Sequence, residues 1–425
     1  MVLSGMISGA AWAAEGVAVS TGKSKLTSSN EIRVTVPGRL KLVFCDGSRV
    51  EGSPEDTGIS GFYDLKNDPG EKYNYAATWS GFFSHKISVE PVRAGKKGAI
   101  MPGPGTVELL EASPVRAAVR YAWGARAYGV TSNPVNPDVR FEQTFVVYAP
   151  DKLYQTLAFV GIGEEVKVSF VTLVLHTSHA RFAGGKSGKG GVYSIKAPWT
   201  SLRDEENPPL WAKRFGKSCL LHVAKPGVVT HGDGTQSHHK MNFLFALHKA
   251  TGTYFYRGDL WVGFRSSIRI RELPTLVKGQ RLEYHMLVLA NHDMTDLEKA
   301  KPYVKEYREP GTPKCAKGQP VGDGFKEAMG CYELEADKGG VEFELPAACH
   351  WPAFQVSGWT GGAPKTIGID GKQAGRGDDY LAGAAKGRLL LQIRRDVAQG
   401  TRVVITPDGS PEDKGFFSTA AAELR

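Results

Sequence analysis

The sequence predicts an all-β chain, with one large antiparallel β domain, a short helical connector and a smaller C-terminal β-sandwich domain. Short runs rich in β-branched and aromatic residues recur along most of its length. Gly, Pro, Asn and Asp clusters separate them, the spacing expected of sandwiches and barrels. Alternating βα patterning is absent, which argues against a doubly wound parallel sheet.

Residues 1–16, "MVLSGMISGAAWAAEG", are small and apolar and carry an A-x-A-like site near Ala11–Ala13. They read as a signal-peptide remnant without its basic n-region. The large β domain is expected over 17–295. "EIRVTV", "LKLVF", "RAAVRYAW", "RFEQTFVVYA", "YQTLAFVGIG", "VKVSFVTLVLH", "KSCLLHVA", "MNFLFALHK", "TYFYRGDLWVGF", "SSIRIREL" and "RLEYHMLVLA" are its strands. In "MNFLFALHK", Phe243, Phe245 and Leu247 alternate with Leu244, Ala246 and His248. That predicts a buried strand, with His248 satisfied in place and "HGDGTQSHHK" as the long loop joining it to "KSCLLHVA".

"DMTDLEKAKPYVKEYRE", Asp293 to Glu309, reads as a helix with Asp293 or Thr295 as cap, acidic residues in its first turn and a kink at Pro302. The stretch 309–324 reads as a linker, so connector and linker together occupy 296–324. From 325 to 425, "CYELEA", "VEFELP", "AFQVSGW", "KTIGIDG", "RLLLQIRR" and "TRVVITP" predict a small accessory sandwich.

The composition, 41% hydrophobic, 10% aromatic and 23% charged over 425 residues, supports packed cores rather than long disorder. The net charge of +9 is either a dispersed surface excess or the mark of a polyanionic partner. No zinc-finger or RNP-type pattern and no long Lys/Arg run is present, so nucleic acid is disfavoured. No apolar run reaches the roughly eighteen residues of a membrane span. Cys45, Cys219, Cys315, Cys331 and Cys349 lack CxxC spacing. Cys45 and Cys219 are expected as buried thiols. One disulfide among Cys315, Cys331 and Cys349 is expected if the protein is exported.

"ASPVRAAVRYAW" followed by "RFEQTFVVYAPDKLYQTLAFVG" resembles the strands of galactose-mutarotase-like proteins, over Val107 to Asn291. That resemblance implies an antiparallel β-supersandwich whose concave face binds sugars, a fold used by several polysaccharide lyases and sugar epimerases. No catalytic signature of that family maps onto this chain residue by residue, so fold analogy leaves the site open.

The residues suited to sugar chemistry concentrate between 231 and 271. A strand over "GFRSSIRIR" puts Arg265, Ser267, Arg269 and Arg271 on one side, a cationic stripe that fits carboxylate or sulfate. A solvated outer face is the plainer explanation. Tyr254 and Tyr256, with Arg257 and Trp261, add rings that stack on sugar faces, although such rings also serve as core. His231, His238, His239 and Lys240 precede them. Uronate β-elimination needs a base for the C5 proton, a cation for the carboxylate and an acid for the leaving oxygen. His231, His238, His239 and Tyr256 are the catalytic candidates; Lys240, Tyr254, Arg257, Trp261, Arg265 and Arg269 are the substrate-binding candidates. The segment 217–249 would have to pair with 252–264 to bring them to one rim.

Metal chemistry has less local support. His176 and His179 could share an ion only if their segment turned helically. Asp64, Asn67 and Asp68 could offer oxygens to Ca²⁺, but a turn at 67–70 explains them equally. Tyr63, Tyr73, Tyr75 and Trp79 could edge a sugar cleft. No cofactor is expected, with a divalent cation left open. A glycoside hydrolase would need paired carboxylates, and Glu142, Asp233, Asp259 and Glu283 are scattered in the sequence. The sequence therefore points to a secreted or periplasmic polysaccharide lyase acting on an acidic, uronate-containing polysaccharide. A glycoside hydrolase and a non-catalytic glycan-binding envelope protein are the alternatives.

Overall fold

The structure is a computed structural model. It describes residues 16–23, 30–45, 59–71, 73–76, 83–90, 98–127, 136–182, 212–215, 219–222, 228–230, 236–238, 242–248, 253–259, 263–270, 275–294 and 297–413. The expected signal remnant, apart from Gly16, lies outside the described residues.

Strands β1 (Ala18–Lys23), β2 (Asn30–Val36), β3 (Leu40–Cys45) and β4 (Ile59–Asp64) form an antiparallel meander. Along β2, Ile32, Val34 and Val36 are buried while Glu31, Arg33 and Thr35 are not, the period-two pattern of a half-covered sheet. Pro37 and Gly38 turn the chain into β3, with Gly38 at φ 65° and Arg39 N donating to the Val36 carbonyl at 3.0 Å. Pro presets the first turn position and Gly accepts the left-handed second one.

The next strands are β5 (Tyr73–Ala76), β6 (Phe83–Glu90), β7 (Gly98–Ala112), β8 (Arg116–Ala127), β9 (Asn136–Tyr148) and β10 (Lys152–Gly161). They are followed by β11 (Val166–Phe182), β12 (Ala212–Phe215), β13 (Cys219–His222), β14 (Val228–Thr230), β15 (Gln236–His238) and β16 (Asn242–Leu247). Last come β17 (Thr253–Asp259), β18 (Gly263–Ile270), β19 (Thr275–Leu276) and β20 (Arg281–Asn291). Most join one large antiparallel sheet in the order β12-β13-β16-β20-β10-β9-β8-β7-β6-β11-β18-β17, with β5 and β19 pairing β11. β14 and β15 form a separate ladder inside the loop that joins β13 to β16.

Alternation gives the centre of this sheet two apolar faces. Ala117, Val119, Tyr121 and Trp123 of β8, with Phe141 and Phe145 of β9 and Phe159 of β10, pack against Ile32, Val34, Leu42, Phe44 and Phe62 of the meander. Ala118, Val146, Tyr154, Leu287 and Leu289 point the other way, under the helix and the C-terminal sandwich.

Helix α1 (Leu297–Arg308) contains Pro302 and buries Ala300, Val304 and Tyr307 at four- and three-residue spacing. The stretch expected to be a linker is instead largely strand: β21 (Lys314–Lys317) and β22 (Gln319–Lys326) already belong to the C-terminal domain. Its polar composition hides strands that are fixed by their partners rather than by a continuous apolar face. Then follow β23 (Cys331–Glu335), β24 (Val341–Glu344), β25 (Cys349–His350), β26 (Ala353–Ser357) and β27 (Thr366–Ile369). The last are β28 (Lys372–Gly375), β29 (Tyr380–Ala385), β30 (Arg388–Ile393), β31 (Asp396–Val397) and β32 (Arg402–Ile405). Two sheets, β21-β24-β32-β27-β28 and β22-β23-β26-β30-β29, enclose Leu334, Phe343, Phe354, Val356, Ile367, Leu391 and Val403. The expected β-sandwich is present.

Polar side chains tie this sandwich to the large sheet. Buried Arg116 donates to Glu111, to the Tyr148 hydroxyl at 2.9 Å and to Gln355 Oε1 at 2.7 Å. Tyr148 donates to the Met329 carbonyl at 2.8 Å, and Gln392 to that of Ala149 at 2.6 Å. The disulfide expectation is corrected: Cys315, Cys331 and Cys349 are thiols not joined by a disulfide. Cys331 Sγ accepts from Arg116, while Cys349 lies between the Tyr332 hydroxyl and the Ala347 carbonyl, so each buried thiol is held without a bridge.

Candidate functional site

His231, His239, Lys240 and Trp261 lie outside the described residues, as do Asp233, Arg271 and Trp79. His238 ends β15, opposite Val228. The backbone of β17 carries Tyr254, Tyr256 and Arg257, and that of β18 carries Arg265 and Arg269. Register places Arg265 between His176 of β11 and Asp259 of β17, and Arg269 between Thr172 and Tyr254. Arg257 falls at a register shift between Tyr256 and Asp259, the kind of irregularity that bends a strand locally. The pairing of 217–249 with 252–264 that a shared rim would require is absent among the described residues. β16 pairs with β13 and β20, whereas β17 pairs with β18 at the opposite end of the sheet order. His176 and His179 sit in the extended strand β11, so the helical turn needed for their shared ion is absent.

A better-defined constellation lies on the large sheet where the C-terminal sandwich stops covering it. Strand pairing aligns Glu108, Arg120, Thr144, Thr156 and His285 in one row across β7, β8, β9, β10 and β20. The next row holds Ala122, Glu142, Ala158 and Glu283, and the third Gly124, Arg140, Val160 and Arg281. Directly paired positions share a face. The alanines keep the middle row low, so long side chains from either side meet over them.

Arg281 donates to both Glu142 and Glu283, two strands apart. Arg140 also donates to Glu142, at 2.5 Å, and Arg120 to Glu108, at 2.8 Å. Burial raises the pKa of Glu142, but hydrogen bonds and charge from Arg281 and Arg140 outweigh it and hold the carboxyl below its ordinary range. Burial lowers the pKa of His285 below the histidine norm, against the pull of Glu283 and Glu327. His285 Nδ1 is 3.0 Å from the Thr156 hydroxyl, and its Nε2 is 3.8 Å from Glu283. If Nδ1–H donates to Thr156, Nε2 keeps its lone pair toward the open face. The site therefore offers a neutral imidazole beside exposed guanidinium groups.

The sequence reading missed His285, Thr156, Arg120, Arg140 and Arg281. For Arg281 and His285 the signal is the half-polar alternation of "RLEYHMLVLA", in which Arg281, Glu283 and His285 precede an apolar half. Glu142 and Glu283, scattered in sequence, are brought to one guanidinium. His248 behaves as expected: it is buried, its ring meets Tyr307 edge-on at 5.2 Å, and Nδ1 lies 4.0 Å from Glu327.

The proposed calcium oxygens serve the turn instead. Asp64 Oδ1 accepts from Lys66 N at 3.1 Å and Asn67 N at 3.3 Å, while Oδ2 accepts from Asn67 Nδ2 at 2.7 Å and lies 2.8 Å from His292 Nε2. Among the described residues no group of three or more His, Cys, Asp or Glu side chains is arranged to hold a metal ion. Among them, too, no helix is long and apolar enough to cross a membrane.

No protein-family model matches the chain. No curated protein matches it either. Solved structures do. One is a polysaccharide lyase at 11% identity and TM-score 0.32, covering 89% of this chain and 48% of the other. Another is heparan sulfate lyase HepC from Pedobacter heparinus, at 8% identity and TM-score 0.35, covering 76% and 41%. A third is galactose 1-epimerase from Lactobacillus acidophilus NCFM, at 9% identity and TM-score 0.32, covering 65% and 99%. The neighbours thus include polysaccharide lyases and galactose-mutarotase-like proteins, the kinds that the strand sequence resembles. The chain spans less than half the length of the lyases it matches.

Proposed function

We propose that this chain is a carbohydrate-active protein, a polysaccharide lyase that cleaves an acidic, uronate-containing polysaccharide by β-elimination in a secreted or periplasmic setting. The observation that carries the proposal is neutral His285 two rows from Arg281, with Glu283 between them, on an open sheet face. Arg281 is 41% exposed, and Glu283, which occupies its Nε, is 35% exposed. A substrate carboxylate can therefore exchange with Glu283 on the guanidinium, the bidentate pairing for which arginine is suited. Neutralising that carboxylate acidifies the adjacent C5–H. His285 Nε2 takes the proton, the C–H electron pair becomes the C4=C5 double bond, and the C4–O bond breaks, with its oxygen taking a proton from an acid. His231, His238, His239 and Tyr256 remain the proposed acid–base partners from sequence. Lys240, Tyr254, Arg257, Trp261, Arg265 and Arg269 remain the proposed contacts along the chain.

One observation favours a second reading. Glu142 and Glu283 flank Ala158 and share Arg281, a carboxylate pair of the kind glycoside hydrolases use. Incubation with a panel of uronate polysaccharides separates the cases. Absorbance from an unsaturated uronate supports the lyase. New reducing ends without it transfer the site to a hydrolase. Binding with neither overturns catalysis in favour of a glycan-binding module.

A further inference from the structure

A cavity of about 340 Å³ opens where the end of β20, α1 and the C-terminal sandwich meet. It lies outside the rows that carry His285. Its fixed part is a network of charge. Glu306 accepts from Lys152 Nζ at 2.9 Å and from the His350 backbone N–H at 3.0 Å, so both of its oxygens are engaged. His350 Nδ1 is hydrogen-bonded to Asp396, and its ring meets Tyr303 edge-on at 4.7 Å. His350 Nε2 and Asp151 Oδ1 face each other at 3.8 Å, both buried and both without a hydrogen-bond partner. Native structures seldom leave such groups unmade, and each one calls for an explanation.

The walls are amphipathic. Met294, Pro302, Tyr303 and Val397 supply apolar surface, and the exposed carboxylates of Asp293 and Asp396 stand at the mouth. Asp293, Glu306 and Asp396 outnumber Lys299 along the lining, so a uronate carboxylate is repelled. A sugar ring has an apolar face for Tyr303 and Pro302 and hydroxyl donors for the carboxylates. Ligand pockets start at roughly 300 Å³, so this one is of a size for a single ring.

We propose that this cavity binds an amino sugar unit, its ring against Tyr303 and Pro302 and its ammonium group between Asp293 and Asp396. The site needs no chemistry from the open sheet face, so it stands whether or not the protein is a lyase. Calorimetric titration of the full chain with glucosamine, glucose and glucuronate tests it. Saturable binding of glucosamine, weaker binding of glucose and none of glucuronate is expected. Asp293→Asn and Asp396→Asn each remove an exposed charge without disturbing a core, and each should weaken glucosamine binding about three- to fivefold. Equal binding of glucuronate, absence of saturable glucosamine binding, or unchanged affinity in both variants overturns the proposal.

Discussion

Arg116 holds both carboxylate oxygens of Glu111, at 2.8 Å from Nε and 3.1 Å from Nη2, with both side chains shut away from solvent. The pair sits beneath the C-terminal sandwich, where Arg388 approaches Glu111 at 3.4 Å and Gln355 accepts from Arg116 at 2.7 Å. A buried pair is weak evidence of stability by itself, because both ions lose water. Removing one partner is different, since it strands the other charge. Arg116→Ala is expected to cost about 3–5 kcal/mol in urea unfolding. Arg116→Met combined with Glu111→Leu should cost less than the single change. A single variant within about 0.5 kcal/mol of the parent, the range of ordinary surface changes, would refute the role given to the pair.

Asp64 and His292 connect the turn after β4 to the chain between β20 and α1, across 228 residues of sequence. Burial pushes the Asp64 carboxyl up, but hydrogen bonds from His292 and Asn67 hold it below the usual range. A depressed folded pKa contributes stability above the unfolded value of about 3.9, and that contribution disappears as pH falls through the folded value. Asp64→Asn should therefore destabilise by about 1.5–3 kcal/mol at pH 7, the range for hydrogen bonds to a charged group. The gap between parent and variant should close on acidification below about pH 4. Urea titrations at neutral and acid pH measure it; a gap that stays constant with pH would contradict the assignment.

The strands of the centre were legible because each encodes its own alternation: "RAAVRYAW" becomes β8, with Val119, Tyr121 and Trp123 on one face. Arg116 begins the same run, and nothing local marks it as buried. Apart from Glu111, five residues back, its side-chain partners lie 32, 215 and 239 residues away, at Tyr148, Cys331 and Gln355. The open face escaped detection for the same reason, since Glu142 and Arg281 are 139 residues apart. "PKCAKGQPVGDG" resembled a linker because turn residues crowd it. Its strand character comes from pairing with β24 and β23, information held elsewhere in the chain. Local periodicity reveals elements, whereas sites form from register.

Gly330 follows the turn after β22 at φ 62°, and a Cβ there would stand 2.1 Å from the Tyr154 ring. Tyr154 is buried among Tyr148 and Tyr307 and has no room to retreat. Gly330→Ala combines a disfavoured backbone conformation with overpacking, and is expected to lower stability by about 2–4 kcal/mol. Gly38→Ala shares the positive φ but has no atom within 4 Å of its added Cβ, so it should cost only about 1 kcal/mol. Thermal unfolding of both variants tests the difference; equal losses would show that the Tyr154 contact is not what constrains Gly330.

His285 is the residue on which the proposed chemistry depends, and its pH behaviour is specific. Burial lowers its pKa, so the neutral base persists at pH values where an ordinary histidine is already half protonated. The rate of unsaturated-product formation should rise with pH through a midpoint below about 6.5 and then level off. His285→Gln removes the base but keeps a polar side chain beside Thr156, and should cost about 10²–10⁴-fold in kcat. Thr156→Val leaves the imidazole without its 3.0 Å partner, so it should shift the pH midpoint and reduce the rate less than His285→Gln does. Stability follows the same sign: the folded state resists protonating His285, so stability falls as pH drops from about 6.5 toward the lowered folded value. Initial rates across pH for the parent and both variants decide it, and undiminished activity in His285→Gln would place the base elsewhere.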